Sequence, residues 1–159
     1  MKITVAAVGK VKEKFYRQAI EEYAKRLGGY CSLQILETAD EKTPAGASAK
    51  EEEQIKVTEG EKILAALPKD AYVIALAIEG KMRSSVELAG HLEQLQVKGK
   101  GHIAFIIGGS LGLSRQVLSR ADEALSFSRM TFPHQLMRVI LLEQLYRSFR
   151  IIRGEPYHK

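Results

Sequence analysis

Residues 2–8 (KITVAAV), 72–78 (YVIALAI) and 102–107 (HIAFII) are almost unbroken apolar runs of strand length. A strand apolar at consecutive positions has no face to give to water, so such runs belong to a sheet covered on both sides. The stretches between them carry apolar residues at helical spacing. Tyr16, Ala19, Ile20, Tyr23 and Leu27 form one stripe, which Gly28 is placed to stop. Ser48 with Glu51, and Ser84 with Glu87, have the capping-box spacing that opens a helix. Buried strands alternating with helices predict an α/β fold, a mostly parallel sheet of about five strands with helices on both faces. From this pattern alone the expected order is flavodoxin-like.

The remaining elements are weaker. A second strand is expected around 30–37 and a short segment at 124–127. Residues 38–47, with Pro44 and Gly46, make the best candidate for a mobile loop, and residues 79–83 read as another loop. Gly60 weakens the helix that Ser48 opens. At 159 residues one domain spanning 1–159 is expected, large enough for a core without staples. No apolar run approaches the length needed to cross a bilayer, and Met1 leads directly into a strand pattern, so a soluble cytoplasmic protein is expected. Cys31, the only cysteine, excludes an internal disulfide and reads as core.

The chemistry-bearing residues gather after residue 107. Gly108-Gly109-Ser110-Leu111-Gly112-Leu113-Ser114 follows a buried strand, where open α/β sheets bind ligands. Its spacing fits neither the P-loop nor the dinucleotide fingerprint. It reads either as a ligand loop or as a tight turn with Ser114 as helix N-cap. SRMTFP (128–133) places a second polar loop before a helix over about 134–152, with Pro133 tolerated in its first turn. That helix is apolar on more than one side, which predicts burial by its own sheet and by a partner chain. Arg138 with Gln135, and Glu143 with Arg147, are spaced as surface pairs. His134 and His158 are the histidines suited to acid/base work, whereas a surface or strand-edge role suffices for His91 and His102. No histidine-carboxylate cluster has metal-ligand spacing.

Charge is distributed unevenly. Residues 129–159 carry six Lys/Arg against two Asp/Glu, a net of +4, while residues 1–128 carry eighteen against seventeen. Nearly all of the +5 therefore lies in the last fifth, either a solvated cationic face or the footprint of a polyanion partner.

Taken together, IGGSLGL, SFSRMTFPHQLMRV, LLEQLYR and the terminal PYHK resemble, in order and spacing, the SPOUT-class rRNA pseudouridine N3-methyltransferase family. The likeness extends over the whole chain and is densest from Tyr72 to Lys159. It implies a SPOUT fold with a deep trefoil knot near the C-terminus, a feature that general topology rules would not suggest. It further implies S-adenosylmethionine as methyl donor and N3 of a pseudouridine in large-subunit (23S) rRNA as acceptor. The partners it implies are a second copy of the chain and the assembled ribosome, with no DNA or membrane partner. Carried over residue by residue, the cofactor pocket falls on Leu76, Gly108, Phe127, Ser128, Arg129, Met130, Thr131 and Phe132. For the methyl transfer so implied, Arg147 from one subunit is the expected cation for the charge developing on the base, and Tyr157 and His158 are expected to help close the pocket, with His158 a candidate proton acceptor. Three other readings stand beside it: a SPOUT enzyme acting on tRNA, a noncatalytic ribosome-binding factor that keeps the fold, and a flavodoxin-like nucleotide-binding module.

Overall fold

The computed structural model describes residues 1–159. Five strands, β1 (Lys2–Val8), β2 (Ser32–Thr38), β3 (Tyr72–Met82), β4 (His102–Ile107) and β5 (Glu123–Ser126), form one sheet. Every pairing is parallel and the order is β2-β1-β4-β3-β5. The connecting helices are α1 (Lys14–Leu27), α2 (Ala49–Ala66), α3 (Ser85–Val97), α4 (Arg115–Arg120) and α5 (His134–Ile152).

Alternation along the strands sorts the core into two layers. Ile3, Val5 and Ala7 of β1 and Ile103, Phe105 and Ile107 of β4 pack with Leu27 of α1, Leu88 and Leu92 of α3, and Leu141 and Leu145 of α5. Ala6, Val8, Ala104 and Ile106 face the other way, onto Ile63 of α2 and Val117 of α4. Both faces are covered, as the apolar runs require, and each fully buried Leu, Ile or Phe contributes roughly 1.5–3 kcal/mol. Both capping boxes form, and Ser114 caps α4 by accepting from the Val117 amide at 3.3 Å. Gly28 does end α1, but with right-handed φ of −57°, so no left-handed cap is involved. Gly60 has a packing reason: a Cβ there would lie 2.6 Å from Ser114 Oγ and 2.9 Å from Val117 Cγ2, so its absence lets α2 approach α4.

The strand order departs from the flavodoxin-like expectation by exchanging β3 and β4. β4, buried at five consecutive residues, takes the central place beside β1, which leaves β3 and the short β5 outside it. The expected loop at 79–83 is also corrected, because β3 continues to Met82. Leu76 pairs with Leu125, and after a shift of register Lys81 pairs with Leu125 and Met82 with Ser126. Lys81 and Met82 are exposed, so pairing and not burial holds them, and a polar, exposed segment gives no apolar signal for a strand. The intervening residues lie tightly against β5. A Cβ on Gly80 would stand 2.6–2.7 Å from the carbonyl carbon and oxygen of Ala124 and the amide nitrogen of Leu125.

β5 is fastened at its start by Glu123, which accepts from the Tyr72 hydroxyl at 2.8 Å and bonds His91 Nε2 of α3 at 2.8 Å. Gly80→Ala should destabilise the protein by roughly 1–3 kcal/mol or more, since main chain cannot swing aside as a side chain does. Urea melts of the two proteins check this, and equal midpoints would contradict the close approach.

Arg138 is not a surface residue. It is 2% exposed, and its guanidinium bonds Glu37 and the carbonyl oxygens of Val8 and Gly9. It thereby ties α5 to the carboxyl ends of β1 and β2. Gln135 is not its partner but accepts from the Lys12 amide. No helix is long and apolar enough to cross a membrane.

Candidate active site

The carboxyl ends of β3, β4 and β5 open into one cleft of about 1320 Å³. Its walls are residues 76–79 of β3, the glycine loop 107–113 after β4, and the loop after β5 that runs into α5 at His134 and Met137. Glu53 and Lys56 of α2 stand at the rim as an ion pair of 3.0 Å. Position and composition suit a ligand with an apolar part and several polar ones.

Glycine shapes the second wall. Gly109 and Gly112 bridge across the loop, Gly112 with φ of +87°, a conformation that side chains resist. A Cβ on Gly108 would meet Gly112 carbonyl carbon and Leu113 Cδ2 at 3.0 Å. The third wall is self-braced: the Ser126 hydroxyl donates to the Ser128 carbonyl at 3.0 Å, and Ser128 Oγ accepts from the Met130 amide at 3.0 Å. Apart from the Ser128 carbonyl and the Met130 amide, which these hydroxyls satisfy, the main-chain groups of 127–132 have no protein partner, which leaves donors and acceptors free at the cleft.

Seven of the eight expected cofactor positions line this cleft: Leu76, Gly108, Phe127, Ser128, Met130, Thr131 and Phe132. Arg129 does not; it is exposed on the outer side of its loop. β5 ends at Ser126, one residue earlier than the apolar pattern suggests, and this frees Phe127 for the loop. Glu53, Lys56 and Arg115 were not legible as cleft residues, because nothing in a helical sequence says which turn reaches a distant loop.

His134 sits at the mouth of the cleft. Burial first, and then the charge of Arg138, hold its imidazole below the usual 6.5, with Asp40 pulling the other way. The unfolded chain therefore takes up this proton before the folded one does. Stability should fall as pH drops below about 6.5, until the folded imidazole is protonated too. Urea midpoints measured against pH for wild type and His134→Gln test this: the variant should lack that part of the decline, and superimposable profiles would contradict it.

The three expected catalytic residues come together, but elsewhere. The chain after α5 turns back so that Tyr157 and His158 reach Arg147. The Arg147 guanidinium lies 4.7 Å from the Tyr157 ring centre and 3.2 Å from His158 Nδ1. Glu143 joins all of this: its Oε1 accepts from Arg147 Nη2 at 2.6 Å, from Arg147 Nε at 3.0 Å and from the Tyr157 hydroxyl at 3.1 Å. The surface pair read from the i,i+4 spacing is thus part of a four-residue cluster. Its hydrogen bond to Glu143 raises the Arg147 guanidinium further above its usual range, and burial followed by the same carboxylate raises the Tyr157 phenol. Arg147 is charged and Tyr157 protonated at neutral pH.

Cluster and cleft do not meet within one chain. Met137, the last residue of α5 to line the cleft, and Arg147 lie ten residues apart on that helix, a separation of about 15 Å at 1.5 Å per residue. A second depression, about 870 Å³, lies at the amino ends of the strands around Met1, Tyr30 and His102. It holds no comparable cluster, and the Cys31 thiol beside it is pushed up to about 11 by burial, so it is unreactive at neutral pH.

The fold and the cleft define a parallel α/β protein with a cleft of small-molecule size at the carboxyl edge of its sheet. The family model described as "Predicted SPOUT methyltransferase" matches residues 1–158. Relatives named "Ribosomal RNA large subunit methyltransferase H" match over 159 residues, the full length of both chains. Those from Shouchella clausii (strain KSM-K16) and Clostridium beijerinckii (strain ATCC 51743 / NCIMB 8052) are 60% identical, and that from Bifidobacterium adolescentis (strain ATCC 15703 / DSM 20083 / NCTC 11814 / E194a) is 62% identical. A solved structure titled as a probable methylase family protein from Haemophilus influenzae Rd KW20 superposes with a TM-score of 0.55 at 14% identity, covering 99% of this chain and 70% of that one; it bears on fold alone. The chain belongs to the SPOUT methyltransferase family.

Proposed function

We propose that this protein is a cytoplasmic methyltransferase, one domain over residues 1–159, that transfers a methyl group from S-adenosylmethionine to N3 of a pseudouridine in large-subunit rRNA. It acts as a homodimer on the assembled ribosome. The observation that carries the reading is the full-length identity of about 60% to proteins named as methyltransferases of large-subunit ribosomal RNA, in a chain whose cleft has room for a small donor. The trefoil knot is part of the proposal, and membership of the SPOUT methyltransferase family supports it.

The cleft fits the donor chemically. Leu76, Phe127 and Phe132 offer apolar surface to an adenine, and the free main-chain groups of 127–132 offer partners to its edge and to ribose hydroxyls. When bound, S-adenosylmethionine supplies a methyl group already made electrophilic by its sulfonium. The protein has then to align the nitrogen, hold the developing charge and receive a proton.

Arg147 is the cation for that charge, which builds on the base oxygens flanking N3. Because Arg147 lies about 15 Å along α5 beyond Met137, the last residue of that helix to line its own cleft, it serves the cleft of a second copy, and this agrees with an α5 too apolar for one packing surface. Glu143 positions Arg147 and Tyr157 together. A guanidinium only donates, so His158 Nδ1 is the acceptor from Arg147 and the neutral ring carries its hydrogen on Nε2. For His158 to take the N3 proton, the acceptor base has to draw Arg147 away and free that nitrogen.

Labelled methyl transfer to intact ribosomes, free subunits and bulk tRNA, followed by nucleoside analysis, tests the reading. N3-methylpseudouridine from ribosomes alone is the expected product. Label in tRNA would move the acceptor to another RNA, and no label with active controls would reject methyl transfer.

A further inference from the structure

The basic excess of the last fifth is largely consumed inside the fold. Arg138 is buried on Glu37, Arg147 is held by Glu143 and Arg150 by Glu155. The chain's unpaired cations concentrate at the other end. Residues 10–17 (KVKEKFYR) carry Lys10, Lys12, Lys14 and Arg17 against Glu13 alone. All four are exposed and none takes part in a salt bridge.

Among them Phe15 is 60% exposed, its ring 4.4 Å from that of Tyr16 and inclined at 57°. Nothing about α1 itself calls for this arrangement. The helix opens with no side-chain cap at Glu13, no acid in its first turn and Lys14 at its first position, which the helix dipole disfavours. A large apolar ring in water among cations is likewise without benefit to folding.

The segment leaves β1 at Gly9, at the same sheet edge as the cleft. The Lys12 amide donates to Gln135 Oε1 at 3.3 Å, next to cleft-lining His134. The Val11 amide donates to Glu37 at 3.2 Å, the carboxylate that also holds Arg138. The patch is therefore fixed to the first turns of α5, beside the mouth of the cleft.

We infer that residues 10–17 dock an unpaired stretch of the acceptor RNA. The four cations meet its phosphates, and Phe15, backed by Tyr16, stacks on a splayed base. Cations alone would suit any polyanion; an exposed ring set between them selects unpaired nucleotides, whose π-faces are free. The identity of the RNA rests on the rRNA methyltransferase reading, whereas the surface itself does not.

The test is fluorescence anisotropy of the full-length protein with a labelled single-stranded RNA oligonucleotide and with its duplex, over a salt series, alongside turnover on ribosomes. Phe15→Ala should weaken single-strand binding roughly five- to a hundredfold and raise KM, with kcat and molecular mass unchanged, and Phe15→Trp should restore binding. Lys12→Gln with Lys14→Gln should reduce the salt slope by about 1.4. Duplex bound as tightly as single strand, unchanged RNA affinity in Phe15→Ala, or a change of oligomeric mass in that variant would each overturn the proposal, the last by assigning the ring to a protein interface. If wild type methylates no RNA yet loses oligonucleotide affinity on Phe15→Ala, the enzymatic reading fails and the docking surface stands. If methyl transfer proceeds and the patch variants change nothing, the docking surface alone fails.

Discussion

Arg147→Ala is expected to cut the turnover of methyl transfer about a hundred- to a thousandfold, the usual loss when one charge-stabilising donor is removed. Donor affinity should not change. Arg147 faces Glu143, Tyr157 and His158, and nothing that lines its own cleft. Lysine at 147 should recover little, since a point charge cannot hold two Glu143 contacts and reach His158 as the planar fork does. Donor calorimetry beside single-turnover kinetics separates the effects. A loss of donor affinity with intact turnover at saturation would place Arg147 in the wrong half of the site.

Removing Tyr157, His158 and Lys159 should abolish transfer and likewise spare donor binding. The tail is not a frayed end. Tyr157 packs edge-on against Tyr146 at 4.9 Å, lies beneath the Arg147 guanidinium and donates to Glu143. Its anchor is Arg150, which donates to the Pro156 carbonyl at 3.0 Å and holds Glu155, itself accepting from the Tyr30 hydroxyl. Cutting after Pro156 leaves that anchor in place and takes away only the groups facing Arg147, so a folding defect is not expected. Unchanged turnover in the truncated protein would sink the assignment of Tyr157 and His158.

The fold was legible where burial or capping writes a local pattern. The strands at 2–8 and 102–107 coincide with their apolar runs, α5 runs over 134–152 as read, and Ser48, Ser84 and Ser114 cap the helices they precede. What escaped depends on contacts between distant segments. The exchange of β3 and β4 follows from which strand is buried deepest, and the extension of β3 through exposed Lys81 and Met82 rests on main-chain pairing with β5. Arg138 has the spacing of a surface residue, and only its bonds to Glu37 and to the carbonyls of Val8 and Gly9 explain its burial.

At the site, both loops were marked by glycine, serine and proline after buried strands, and seven of the eight cofactor positions carried over by resemblance line one cleft. Glu143 was visible only as the i,i+4 partner of Arg147, because its bond to Tyr157 closes through the returning tail. The distance between cleft and cluster was written in the sequence all along, as the ten helical residues from Met137 to Arg147. It acquired meaning once α5 was seen to begin at the cleft and run away from it.

That separation makes the central claim directly testable: two copies of the chain complete one site. Arg147→Ala lacks the acceptor half, and Gly108→Val, whose branched side chain must displace the Gly112 main chain, lacks the donor half. Each variant alone should be nearly inactive. Mixed under conditions where subunits exchange, they form mixed dimers in which one of the two sites is intact, and methyl transfer to ribosomes should return to about a quarter of the wild-type rate for statistical exchange. A mixture that stays inactive although exchange is demonstrated would contradict the shared site and return Arg147 to the service of its own chain.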